Sequence, residues 1–145
     1  MNEILARATV QSVSDISSTE AVIVEILAVN EKTAKYGLVL DKNDAAEIAE
    51  ARTSALRVSG RLEFHGGLIE KLIEAFCDSP YIDQTNYKDT ICELLYLFYE
   101  YKSLTRISDK ALIKYMADSF NGECRGSLEM LNSEYLMKSN RTNER

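Results

Sequence analysis

The chain has 145 residues, 46% of them hydrophobic and 28% charged, and a formal net charge of −6 at pH 7. That length suffices for one domain with its own core, without a metal or disulfide staple. The acidic balance and the absence of a basic cluster argue against binding a phosphate backbone, and no run approaches the roughly 18 apolar residues of a membrane span.

Residues 1–18 are small, polar and β-branched without a clear period, and read as a loose arm. A single helical domain is expected over 19–138, and a frayed polar tail over 139–145. TEAVIVEILAVNEKTAKYG places Val22, Ile23, Ile26, Leu27, Asn30 and Ala34 along one helical side and stops at Gly37. LVL at 38–40 is short and extended. Asp41, with Asp44 three positions on, is the N-cap of a second helix. Its stripe is Ala45, Ile48, Ala49, Arg52, Ala55 and Leu56, and it ends at Gly60. RLEF then alternates Leu62 and Phe64 with Arg61 and Glu63, as a strand would. A third helix over 67–78 buries Leu68, Ile69, Leu72, Ile73 and Phe76, and Ser79-Pro80 stops it. Its acidic edge is Glu70, Glu74 and Asp78, with Lys71 as a partner for Glu74.

NYKDTICELLYLFYEYKSL is apolar nearly all round, which places it centrally in a small protein. Ser108 caps a fifth helix with Leu112, Tyr115, Met116 and Phe120 inward and Gly122 at its end. A sixth spans 126–137. The fold class is therefore mostly α: an irregular or orthogonal bundle of five or six helices, with a minimal two-stranded ribbon of residues 38–40 and 61–64 as an optional addition.

Chemistry is sparse. The stretch GRLEFHGGLIEKLIEAFCDSP holds the only histidine and the only proline. His65 beside Gly66 could serve as a base near free helix amides, which favour an anion. A turn explains the same residues. The G-x-S-x-G elbow that an HGG oxyanion loop would need is absent. A Cys–His pair would have to use His65, and Cys77 lies about 18 Å from it by helical rise. Cys77 and Cys92 sit in apolar helices and read as small buried hydrophobes. Cys124, in NGECRGS, is the expected exposed thiol, with Arg125 and a following helix N-terminus able to lower its pKa. Zinc spacing, an EF-hand loop, a P-loop and a dinucleotide fingerprint are all missing, so neither a cofactor nor a metal is called for. Three cysteines, without a basic n-region and apolar stretch at the start, suggest reduced thiols in the cytoplasm.

Three strings are distinctive: the arginine–glycine turn into RLEF-x-GG, the phrase FCDSPYI, and NG-x-C-x-GSLE. With them, residues from about 20 to 137 resemble a family of short, functionally uncharacterised proteins from clostridia and other Firmicutes. The resemblance implies a bacterial, cytoplasmic, helical protein and brings no activity or cofactor. A glycine often stands in that family where this chain has His65, which weighs against a catalytic histidine.

Two functional readings follow. The first is a module that binds another protein through Tyr96, Tyr99, Tyr101 and the acidic residues Glu70 and Glu74. The second is an enzyme or small-ligand domain with a pocket where RLEFHGG meets NGECRGS, lined by Glu63, His65, Gly66 and Cys124. The first is favoured, because no nucleophile, base and orienting group assemble in the sequence. Nucleic acid and membrane are not expected partners.

Overall fold

A computed structural model describes residues 19–61, 63 and 67–133. The arm at 1–18 and the tail at 139–145 lie outside the described residues. The chain is helical from residue 19, the first described, to residue 28 (α1). Then come α2 (Asn30–Thr33), a 3-10 turn (Ala34–Tyr36), α3 (Lys42–Ser59), α4 (Gly67–Phe76), α5 (Tyr87–Leu104) and α6 (Asp109–Asn121). A last helix, α7, runs from residue 128 to 133, where the described chain ends. The molecule is a mostly α bundle, with no strand among the described residues. No helix among them is long and apolar enough to cross a membrane.

The helices follow from their apolar stripes. In α3 the buried set is Ala45, Ile48, Ala49, Arg52, Ala55 and Leu56, joined by Ala51. In α4 Leu68, Ile69, Leu72, Ile73 and Phe76 all turn inward. The central element is α5, which packs against α3, α4 and α6, while α4 and α6 also touch each other. Its residues Ile91, Leu94, Leu95 and Phe98 are wholly buried. The starts of α3 and α6 are fixed by side chains that accept from orphan amides. Asp41 and Asp44 form a reciprocal capping box on α3, and Ser108 Oγ accepts from the Ala111 amide at 3.1 Å. Left-handed Gly37 and Gly60 end the first helical segment and α3.

The optional ribbon is not seen among the described residues. Residues 38–40 are extended, but apart from the Leu38 amide, which donates to the Thr33 carbonyl at 3.3 Å, their backbone pairs with side chains. The Asn30 amide donates to the Leu40 carbonyl at 2.9 Å, and its oxygen accepts from the Leu40 amide at 2.8 Å. Gln84 repeats this pattern on Val39, with both bonds at 2.8 Å. Thr33 Oγ1 donates to the Leu38 carbonyl at 2.7 Å. Buried backbone groups must be paired, and here two carboxamides and a hydroxyl do what a neighbouring strand would do. Arg61 and Glu63 are likewise not in a strand. Leu62 and Phe64 lie outside the described residues.

The ends of α4 and α6 are tied into one joint. Ser79 Oγ donates to Asn121 Oδ1 at 2.5 Å. The Phe76 and Tyr81 rings both meet Phe120 edge-on, with centroids 5.4 and 6.2 Å away. Tyr81 also lies directly against Gly126.

Candidate functional site

A dense grouping of charge gathers around Glu63. Arg52 stands on the apolar stripe of α3 and is only 6% exposed. A guanidinium there requires compensation, because an unpaired buried charge costs several kcal/mol. Glu63 supplies it. Arg52 Nη2 donates to the Glu63 carbonyl at 3.2 Å, and Nε lies 3.6 Å from the carboxylate. Arg61 Nε lies 3.0 Å from the other carboxylate oxygen, and the Tyr99 hydroxyl donates to the first at 2.8 Å. The Arg61 fork then spans to Asp109, donating to its two oxygens at 3.2 and 2.8 Å. Lys102 closes the chain, 3.4 Å from Asp109 and donating to the Ile107 carbonyl.

The electrostatics match this geometry. The Arg61 fork holds the Asp109 carboxyl below the usual range, and Asp109 in turn raises Arg61. Burial, then the neighbouring Glu63 charge, pushes the Tyr99 hydroxyl far above its ordinary value. Tyr99 is thus held as a neutral donor to the Glu63 carboxylate, which Arg52 and Arg61 flank as ion pairs. The cluster joins α3, the segment after it, α5 and α6. It acts as a clamp.

The pocket expected between RLEFHGG and NGECRGS does not come together from its described members. Arg61 is anchored at Asp109, the first residue of α6, and Glu63 is paired with Arg61. The Cys124 amide donates to the Ser119 carbonyl, near the last. Ten residues of helix separate those anchors, about 15 Å along the axis. His65 and Gly66 lie outside the described residues.

Cys124 is also not the exposed thiol expected from its glycine-flanked sequence. It is 1% exposed, because the turn after α6 folds back on itself through bonds from the amides of Cys124, Gly126 and Ser127. Burial raises the Cys77 thiol and pushes Cys92 up to about 11, the wrong direction for a nucleophile. Among the described residues no three His, Cys, Asp or Glu side chains group to hold a metal.

The expected partner surface divides. Tyr96 is exposed, but Tyr99 and Tyr101 are core residues, 1% and 0% exposed. They can be buried because each hydroxyl finds an acceptor: Glu63 for Tyr99, and Asn132 Oδ1 at 3.4 Å for Tyr101. Glu74 is exposed and Glu70 half-buried on α4, but their cation is Lys32 of α2, at 2.5 and 3.0 Å. Lys71 is not their partner. Those two carboxylates raise Lys32 well above the ordinary lysine value.

Two grooves lie on the surface of the described residues. One of about 370 Å³ lies between α3 and α5, with Ala55, Val58, Tyr96 and Tyr99 among its lining. The other, of about 550 Å³, lies between α4 and α6 over Ala75, Ile113 and Ala117. Both are the size of ligand-binding clefts. Sequence reasoning missed the second. Its only signal was the pair Lys110 and Lys114 flanking Ile113 on one helix.

No curated protein and no solved structure matches the chain. Residues 25–144, spanning the clamp, the joint and both grooves, match a family of unknown function, DUF6323. The chain belongs to that family.

Proposed function

We propose that this protein is a module that binds another protein, in a bacterial cytoplasm, through the groove between α3 and α5. One observation carries the reading: Val58, 88% exposed, and Tyr96, 41% exposed, line the same groove. Beneath them lie Ala55 and the ring of Tyr99, which are buried. A tyrosine beside an unpartnered aliphatic, over a floor held rigid by the Glu63 clamp, is the composition of an interface anchor point. Glu100 stands in the same lining and the whole chain is acidic, so the partner inserts an apolar side chain flanked by basic ones. The separation of Glu63 from Cys124 and the burial of the thiols favour this reading over an enzyme.

The test is affinity capture of the tagged full chain at native expression, compared with Tyr96→Ala and Val58→Asp variants. A stoichiometric partner lost in both variants, and retained by Val24→Asp on α1, is the expected result. Full retention by the groove variants would end the proposal, as would a partnerless preparation.

A further inference from the structure

We propose that the second groove, between α4 and α6, receives an acidic amphipathic segment of a partner protein. This goes beyond the α3–α5 surface and rests on different residues. The floor of the groove is small and apolar: Ala75 from α4, Ile113 and Ala117 from α6. Its walls carry three lysines and two acids. The acids are already engaged, Glu74 by Lys32 at 2.5 Å and Asp118 by Lys114 at 2.9 Å. Lys71 and Lys110, one on each wall, are exposed and have no acidic partner among the described residues.

The groove therefore presents two ammonium groups with no acidic partner among the described residues, on a molecule whose net charge is −6. A local positive pair over an apolar trough selects an occupant with the opposite pattern. Apolar side chains would enter between the helices, and carboxylates would meet the rim. The length of α4, ten residues and so about 15 Å, suits two or three turns of a partner helix. A basic partner, suited to the groove beside Glu100, would be repelled here, so the two grooves sort partners by charge.

The probe is a fluorescein-labelled helical peptide with leucines at i, i+3, i+4 and i+7 and glutamates elsewhere, together with its lysine counterpart. Binding to the full chain is read by anisotropy, and the contact is mapped by amide NMR. The glutamate peptide is expected to bind, to shift amides of residues 67–76 and 109–121, and to weaken with added salt. The lysine peptide should bind at least about tenfold more weakly. A Lys71→Glu/Lys110→Glu double variant, with its fold checked by circular dichroism, should reverse that preference. Tyr96→Ala should leave it unchanged, so loss of the α3–α5 surface and loss of this one are distinguishable. Equal binding of the two peptides, shifts confined to other helices, or an unchanged preference in the double variant would overturn the proposal. Concentration-dependent shifts on α4 and α6 without peptide would reassign the groove to self-association. Displacement of the peptide by anionic lipid vesicles would reassign it to a membrane surface.

Discussion

Gly126 shows how a single residue sets a joint. Its φ is +79°, and a Cβ built on it would stand 2.4 Å from Tyr81 Cγ and 2.5 Å from Tyr81 Cβ. The position is therefore closed to a side chain twice over, by conformation and by space. Gly37 offers a natural control, with φ +80° but nothing within 4 Å. Gly37→Ala should cost about 1 kcal/mol, the conformational share alone. Gly126→Ala should cost about 3 kcal/mol, because the Tyr81 ring must also leave its edge contact with Phe120. Urea denaturation of both variants decides this, and equal losses would show that the Tyr81 contact is inert. The strings FCDSPYI and NGECRGSLE stand out in the sequence because their residues meet here. Nothing local in either string announces the other.

At the scale of elements, α6 depends on what holds its first turn. Asp109 is the first residue after the Ser108 cap, so its carboxylate faces the positive end of the helix dipole as well as the Arg61 fork. Asp109→Asn should lower stability at pH 7 by about 1 kcal/mol, since the pair is bidentate but partly solvated. The sign with pH follows from the depressed folded pKa. The contribution is fully present above the ordinary carboxylate value of 3.8 and is lost as pH falls through the lower folded value. Parent and variant should therefore converge in acid, and a gap that persists below that range would mean Asp109 acts through packing instead.

Most of this level was legible in the sequence. The stripes of α3 and α4, the Asp41 and Ser108 caps and the Gly37 and Gly60 stops are periodic or local signals, and each lies where that signal puts it. The pairing of residues 38–40 was not legible, because extended backbone looks the same whether its partner is a strand or the carboxamides of Asn30 and Gln84. Cys124 was misread for a related reason. Flanking glycines report backbone freedom, and burial is decided by the bonds the turn makes to α6.

The molecule as a whole depends on α5 being packed between α3, α4 and α6, and its tyrosines make that enclosure measurable. A helix apolar all round was read correctly as central. Its tyrosines were then assigned outward, because sequence alone shows no acceptors for their hydroxyls. The acceptor for Tyr99 comes from Glu63, 36 positions earlier, and the one for Tyr101 from Asn132, 31 positions later. The Tyr87 hydroxyl is buried, and desolvation, offset in part by the Thr33 hydroxyl, pushes its pKa up to about 12. Tyr99 is raised further, by burial and by Glu63. An unfolded tyrosine ionises near pH 10. Above that value the unfolded chain holds fewer protons than the native one, so stability must fall as pH rises. The fall should appear as a cooperative loss of helix by circular dichroism, coincident with a late step in tyrosinate absorbance. Tyr99→Phe separates the two contributions of that residue. At neutral pH it removes a charge-assisted hydrogen bond and should cost about 2 kcal/mol. At strongly alkaline pH it also removes a proton that the fold must retain, so the gap between parent and variant should narrow as pH climbs past 10. If the two stability curves stay parallel through that range, Tyr99 ionises without opening the bundle, and the enclosure of α5 is looser than its burial implies.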